Sequence, residues 1–176
     1  MKFTELSIKG VWLVEIEPSK DERGFFARTF CTGEFALHGL ETTLAQCSIS
    51  FNKKKGTLRG MHYQAPPHEE TKLVRCSRGE IYDVVADIRK GSPTFGKWLG
   101  MTLSADNNQS LYIPAGCAHG FMTVVDKSEV LYQISEPYHP DCARGFRYND
   151  VFFSIQWPTA VSVVSPKDLA YEDLRP

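Results

Sequence analysis

This sequence predicts a mainly β fold, a sandwich, jelly roll or barrel of short antiparallel strands, on three observations. Between residues 10 and 157 the apolar residues come in short strand-like runs rather than in long helical periods. Each run is bounded by turn formers, for which the chain carries 13 glycines and 10 prolines. Aromatics make up 12% of the residues, more than a helical bundle needs and well suited to pleated surfaces or to a stacked ligand.

In chain order, the first run is Val11 to Ile16. Thr32 to Gly39 then predicts a short helix, with Thr32 as a possible cap and Gly39 as its stop. A strand is expected around His62, followed by strands at Lys72 to Cys76, Glu80 to Val85, Trp98 to Leu103, Ser110 to Ile113, Gly120 to Val125 and Glu129 to Ile134. The intervening segments Ser77-Arg78-Gly79, Lys90-Gly91-Ser92-Pro93, Ala105-Asp106-Asn107-Asn108 and Pro114-Ala115-Gly116 read as turns. Ser165-Pro166-Lys167-Asp168 opens a second, short helix, with Ser165 as cap and Pro166 in the first turn. No repeat or linker divides residues 1–176, so one domain is expected.

Composition excludes several functions. With 20 Lys plus Arg against 21 Asp plus Glu, the formal net charge is -1, which argues against a nucleic-acid partner. Lys53-Lys54-Lys55 reads as a solvated loop rather than as a basic patch. No run approaches the roughly 20 apolar residues that span a bilayer. The opening MKFTELSIKG has no apolar signal core, so a cytoplasmic protein without a membrane partner is expected. The five cysteines are scattered and form no CxxC pair, which fits a reducing compartment and no cysteine-built zinc site.

Two segments carry chemistry. Gly56 to Gln64 with Lys72 and Gly79, and Pro114 to Gly120, match the spacing of the two cupin motifs: glycine, five residues, HxH, then a later glutamate followed by six residues and a glycine, then PxGxxH. The resemblance implies a small jelly-roll barrel with a few short helices. In metal-binding cupins three histidines and the glutamate hold one divalent ion. Here His62 and His119 are in register, but Gln64 and Lys72 stand at the other two ligand positions. A charged ammonium has no lone pair to give, so neither a metal nor any other cofactor is expected. Lys72 supplies instead a fixed positive charge, suited to a developing enolate.

Within the cupins the chain resembles the dTDP-4-dehydrorhamnose 3,5-epimerase family along nearly its whole length. The matching pieces are Asp21 to Phe26, Gly56 to Gln64, Lys72-Leu73-Val74, Asp87 to Gly96, Ile113 to Phe121, Val130-Leu131-Tyr132, Tyr148-Asn149-Asp150, Trp157-Pro158 and Lys167-Asp168. The resemblance implies a nucleotide-sugar substrate and a catalytic set of His62 as general base, Tyr132 as the acid on the opposite face, Lys72 on the enolate oxygen and Asp168 as the partner that fixes the histidine's tautomer. A histidine suits the base because its ordinary pKa lies near neutrality. Taken alone, each has an ordinary alternative: a packed or surface histidine, a half-buried strand tyrosine, a first-turn helix carboxylate. The resemblance further implies Arg23, Arg59, His119 and Lys167 as contacts to the diphosphate or sugar, a guanidinium's fork matching phosphate oxygens, and Phe26 and Tyr138 as candidates to stack on the base. It also implies a homodimer in which an exchanged N-terminal strand carries Arg23 and Phe26 to the neighbour's site.

Three substrate-contacting positions depart from the family pattern. Arg28 stands where the family usually has Glu, Ser48 follows Gln46 where it usually has Asn, and Ala143 lies where it carries a Glu. All belong to the nucleotide and sugar part of the site. The expected activity is inversion at C3 and C5 of dTDP-4-dehydro-6-deoxy-D-glucose. The alternatives are inversion of one centre only, or a keto sugar on another nucleotide such as CDP. A non-catalytic sugar-nucleotide binder would have no need of an acid and a base together.

Overall fold

The computed structural model describes residues 1–175, and its regular structure is mostly antiparallel strand. One sheet takes six strands in the order β1 (Lys2–Glu5), β2 (Trp12–Glu15), β10 (Gln109–Ile113), β7 (Lys72–Arg78), β12 (Ser128–Ile134) and β5 (Gln46–Asn52). The other takes five in the order β13 (Ala143–Gly145), β6 (Leu58–Gln64), β11 (Cys117–Thr123), β8 (Glu80–Asp87) and β9 (Trp98–Ser104). A separate two-stranded hairpin, β3 (Ser19–Asp21) and β4 (Gly24–Phe26), stands apart from both.

Alternation along the strands decides what fills the space between the sheets. Val74 and Cys76 of β7, Leu111 and Ile113 of β10, Val130 of β12, Ile81 and Val85 of β8, and Phe121 of β11 make one buried cluster. On β8 the alternate residues Val84 and Ala86 face the other way. There they meet Met61, Ala118, Phe146, Phe153 and Ile155, so the C-terminal segment covers the outer face of the five-stranded sheet. The jelly-roll reading holds, and Lys72, Asp83, His119 and Tyr132 fall by the same period of two on the inner face, among apolar neighbours.

Where β6 meets β11, His62 stands opposite His119 and Arg59 opposite Phe121, with a register shift between. That irregularity turns Arg59 and His62, three residues apart, to one side of the sheet. The strands approach so closely that a Cβ at Gly60 (φ +140°) would lie 2.6 Å from the Cα of Gly120, which only glycine allows.

The predicted strands from β7 to β12 occur within a few residues of their expected bounds. Helix α1 spans Thr32–Leu37, with Gly39 (φ +67°) after its end as expected. Its N-cap is Cys31 rather than Thr32, and no side chain caps it. Helix α2 is Pro166–Ala170, and the Ser165 hydroxyl accepts the Asp168 backbone N–H as a capping residue should. The Asp87 to Gly96 segment is structural. The Asp87 carboxylate accepts hydrogen bonds from Arg89, Ser92 and Thr94. Burial opposes its ionisation, but those donors prevail and bring its pKa to about 2. All five cysteines are free thiols. Burial pushes Cys76 up to about 11 and Cys117 up to about 12, so both are poor nucleophiles. Among the described residues no helix is long and apolar enough to cross a membrane.

Candidate active site

An open pocket of about 430 Å³ lies at the mouth of the barrel, within the range of small-ligand sites. Strand β6 supplies Arg59, His62, Tyr63 and Gln64, β13 supplies Ala143 and Arg144, and the segment through α2 supplies Ser165, Lys167, Asp168 and Tyr171. Glu70 and Tyr138 complete the rim.

Its organising contact joins two residues 106 positions apart: His62 Nε2 lies 2.7 Å from Asp168 Oδ1. The histidine side chain is 41% exposed and that of its partner only 5%. Burial opposes the charge on Asp168. Hydrogen bonding to His62, the charge of that imidazole, the Gly60 backbone N–H and the Ser165 hydroxyl together outweigh it and hold the carboxyl below its usual range. An ionised carboxylate only accepts, so His62 donates from Nε2, and in the neutral ring the one lone pair is on Nδ1.

Behind this pair lies a second one. His119 Nε2 is 2.7 Å from Asp83 Oδ1, and both residues are buried. The other oxygen of Asp83 has no partner. Burial therefore dominates and pushes the Asp83 carboxyl upward against the pull of His119. Tyr132 packs edge-on to His119, with ring centroids 5.9 Å apart. Its phenol is pushed upward by burial and by Asp83, with Arg59 opposing, so it stays protonated across the ordinary pH range.

Lys72 is buried, and its Nζ lies 2.5 Å from Glu70 Oε1. The fixed positive charge expected in the barrel is therefore paired with a carboxylate that itself faces the pocket. Gln64 is equally committed: its amide donates to the carbonyls of His68 and Pro137 and accepts from the His139 N–H. Neither residue is available as a metal ligand, so the barrel positions do not fit the ion of metal-binding cupins.

Among the residues expected at the site, Arg59, His62, Tyr138, Lys167 and Asp168 line the pocket. Gln46 accepts a hydrogen bond from the Tyr138 backbone N–H, and Ser48 is paired with Tyr132 across β5 and β12. His119 belongs to the buried pair and is not in the lining of the pocket. Lys72 and Tyr132 are not in the lining either, Lys72 meeting it through Glu70 and Tyr132 lying against His119. Three further residues lie elsewhere. Arg23 is held by Asp21 within its own hairpin, and Phe26 is 83% exposed. Arg28 is neutralised by Glu34 at 2.7 Å. Ala143, one of the departures, lines the pocket itself. Sequence reading missed Glu70, Asp83, Arg144 and Tyr171. Of these only Asp83 had a signal, since its alternation with Ile81 and Val85 puts an acid on the inner face.

The profile of the dTDP-4-dehydrorhamnose 3,5-epimerase family matches residues 5–176. A relative named dTDP-4-dehydrorhamnose 3,5-epimerase from Sinorhizobium fredii is 39% identical over 99% of this chain and 90% of its own. The crystal structure of that enzyme from Bacillus anthracis, with TDP and PPi bound, is 38% identical, covers 98% of this chain and 99% of its own, and superposes with a TM-score of 0.95. A Legionella pneumophila dTDP-6-deoxy-D-glucose-3,5-epimerase, in complex with dTDP-4-keto-L-rhamnose, is 37% identical over 98% of this chain and 92% of its own, at a TM-score of 0.91.

Proposed function

This chain belongs to the dTDP-4-dehydrorhamnose 3,5-epimerase family of isomerases, and on that premise we propose that it converts dTDP-4-dehydro-6-deoxy-D-glucose to dTDP-4-dehydro-L-rhamnose. The observation that carries the reading is the His62–Asp168 pair at 2.7 Å, opening on the pocket. A ketone at C4 acidifies the hydrogens at C3 and C5. His62 Nδ1 takes one of these protons, and the electron pair left on carbon moves to the C4 oxygen as an enolate. Asp168 holds the ring in the required tautomer and stabilises the imidazolium.

Inversion then needs a proton delivered to the opposite face. Tyr132 supplies it, since burial keeps its phenol protonated. Lys72 stabilises the enolate oxygen, and its pairing with Glu70 keeps the ammonium aimed while tempering its charge. At each centre one proton passes from carbon to His62 and one from Tyr132 to carbon; solvent then takes the proton from His62 and restores the phenol before the second centre is inverted, with no change of oxidation state. Arg59 and Lys167 meet the diphosphate, and Tyr138 stacks on the base.

The same reading makes the active form a homodimer. Phe25 and Phe26 project from the β3–β4 hairpin, and Ile49 and Phe51 lie exposed on β5, an edge strand. An exchanged strand would cover this apolar surface and deliver Arg23 and Phe26 to the neighbouring pocket. Ala143 in the lining is the feature that favours a second reading, a shifted choice of base or inversion of one centre only. Proton NMR of the substrate in deuterated water separates these outcomes. Label at both C3 and C5 is expected; label at one carbon would give the second reading, and label at neither would end the proposal.

A further inference from the structure

Beside Gln64 and Tyr138 of the pocket lining, the structure places His68, Glu136 and His139 together. His68 Nδ1 lies 2.6 Å and His139 Nε2 3.4 Å from the same oxygen, Glu136 Oε1. The two imidazoles are stacked, with centroids 3.4 Å apart and planes 9° from parallel. All three ligand atoms fall within 4.8 Å of one another. We propose that these residues form a site for a divalent transition-metal ion of the zinc type, held by two imidazole nitrogens and one carboxylate.

Ligand separations make the case. Around a tetrahedral ion with bonds of about 2.0–2.1 Å, ligand atoms stand about 3.4 Å apart. The His139–Glu136 distance already matches that edge, and the His68–Glu136 contact has to open by less than about 1 Å to reach it. The parallel rings must tilt so that both lone pairs converge, which the half-exposed side chains permit: they are 37%, 31% and 36% exposed for His68, Glu136 and His139. Without an ion, two imidazole nitrogens crowd one carboxylate oxygen, and only His68 Nδ1 makes a hydrogen bond to it. With an ion, three lone pairs meet one positive centre. Two imidazoles and one carboxylate suit zinc, copper or nickel rather than magnesium or calcium, which take oxygen ligands.

The backbone is arranged in advance. Gln64, 3% exposed, ties both loops through its hydrogen bonds to His68 O, Pro137 O and His139 N. The ends of β7 and β12 are pinned by reciprocal bonds between Thr71 and Ser135. The amide that stands at a metal-ligand position of the cupin motif thus supports a different site. Three protein ligands leave the fourth position to water, and the ion would clip together the two loops that flank Tyr138.

Zinc titration of the chelator-stripped protein against a chromophoric competitor tests this, with the visible absorption of bound Co²⁺ as a second probe. One ion per chain is expected, with a rise in melting temperature. His68→Ala and His139→Ala should each weaken binding at least tenfold while the far-ultraviolet circular dichroism stays unchanged. Glu136→Gln, which keeps the side-chain shape, should do the same, so the result does not hang on deleting a ring. His38→Ala, away from the cluster, should bind as the parent does. Absence of stoichiometric binding, or binding that survives the His68/His139 double replacement, would overturn the proposal.

Discussion

His62–Asp168 and His119–Asp83 share one contact, Nε2 to Oδ1 at 2.7 Å, and their histidines face each other across β6 and β11. In their surroundings they diverge. The His62 side chain is 41% exposed and that of His119 only 5%. The Gly60 N–H and the Ser165 hydroxyl help lower Asp168, whereas one oxygen of Asp83 has no partner. The first carboxyl is held below its usual range and the second above it. Burial lifts both carboxyls and a histidine pulls each one down; at the fully buried Asp83 burial wins, whereas at Asp168 the histidine wins, helped by the smaller contributions of Gly60 and Ser165. The pair with the extra donors and the open ring is equipped for proton transfer, while the dry pair backs Tyr132.

The sharpest way to break this division of labour is His62→Ala. On the proposed mechanism it removes the only base, and solvent exchange at both carbons should fall by about 10⁴-fold, the upper end of what a general base supplies. His119→Ala should leave measurable exchange, because its ring does not open on the pocket. Equal losses in the two variants would erase the distinction. Next in size is Tyr132→Phe. Label should still enter the substrate through His62 while formation of the inverted product drops by about 10³-fold. A parallel loss of exchange would mean that Tyr132 serves the removal step as well. Asp168→Asn should lower kcat by about 10²-fold with little change in KM, since it disturbs the tautomer rather than the binding surface.

How much of this contrast was legible in the sequence depends on which way each strand faces. The strands from β7 to β12 could be read because their apolar residues point inward and are bounded by turns. β5 escaped for the opposite reason. It alternates perfectly, but Gln46, Ser48, Ser50 and Asn52 share one face while the apolar Cys47, Ile49 and Phe51 share the other, where Ile49 and Phe51 stand exposed. The β3–β4 hairpin is exposed throughout and left no apolar pattern to find. In the site, His62 and Asp168 were reachable through motifs that resemble a known family. Glu70 was not, because nothing local marks a loop carboxylate that meets a lysine two residues on. Arg28 was visible as a departure, yet only the folded chain shows it already neutralised by Glu34.

The smallest expected effect discriminates best between the two aspartates, because it has opposite signs. A carboxyl held low in the folded chain contributes stability that is present above its ordinary pKa and is lost as the pH falls through the folded value. Asp168 is of this kind. A carboxyl held high contributes stability that is complete below the ordinary value and is lost as the pH rises through the folded one, as for Asp83. Relative to the parent, Asp168→Asn should therefore be most destabilised near neutral pH, with the gap closing in acid. Asp83→Asn should do the reverse: an amide resembles the protonated acid, so any deficit is greatest in acid and shrinks as the pH rises. Urea midpoints between about pH 3 and about pH 7 would read both trends. Parallel slopes for the two variants would mean that the unpartnered oxygen of Asp83 finds solvent or a donor, and the contrast between a charged working pair and a dry supporting pair would fall.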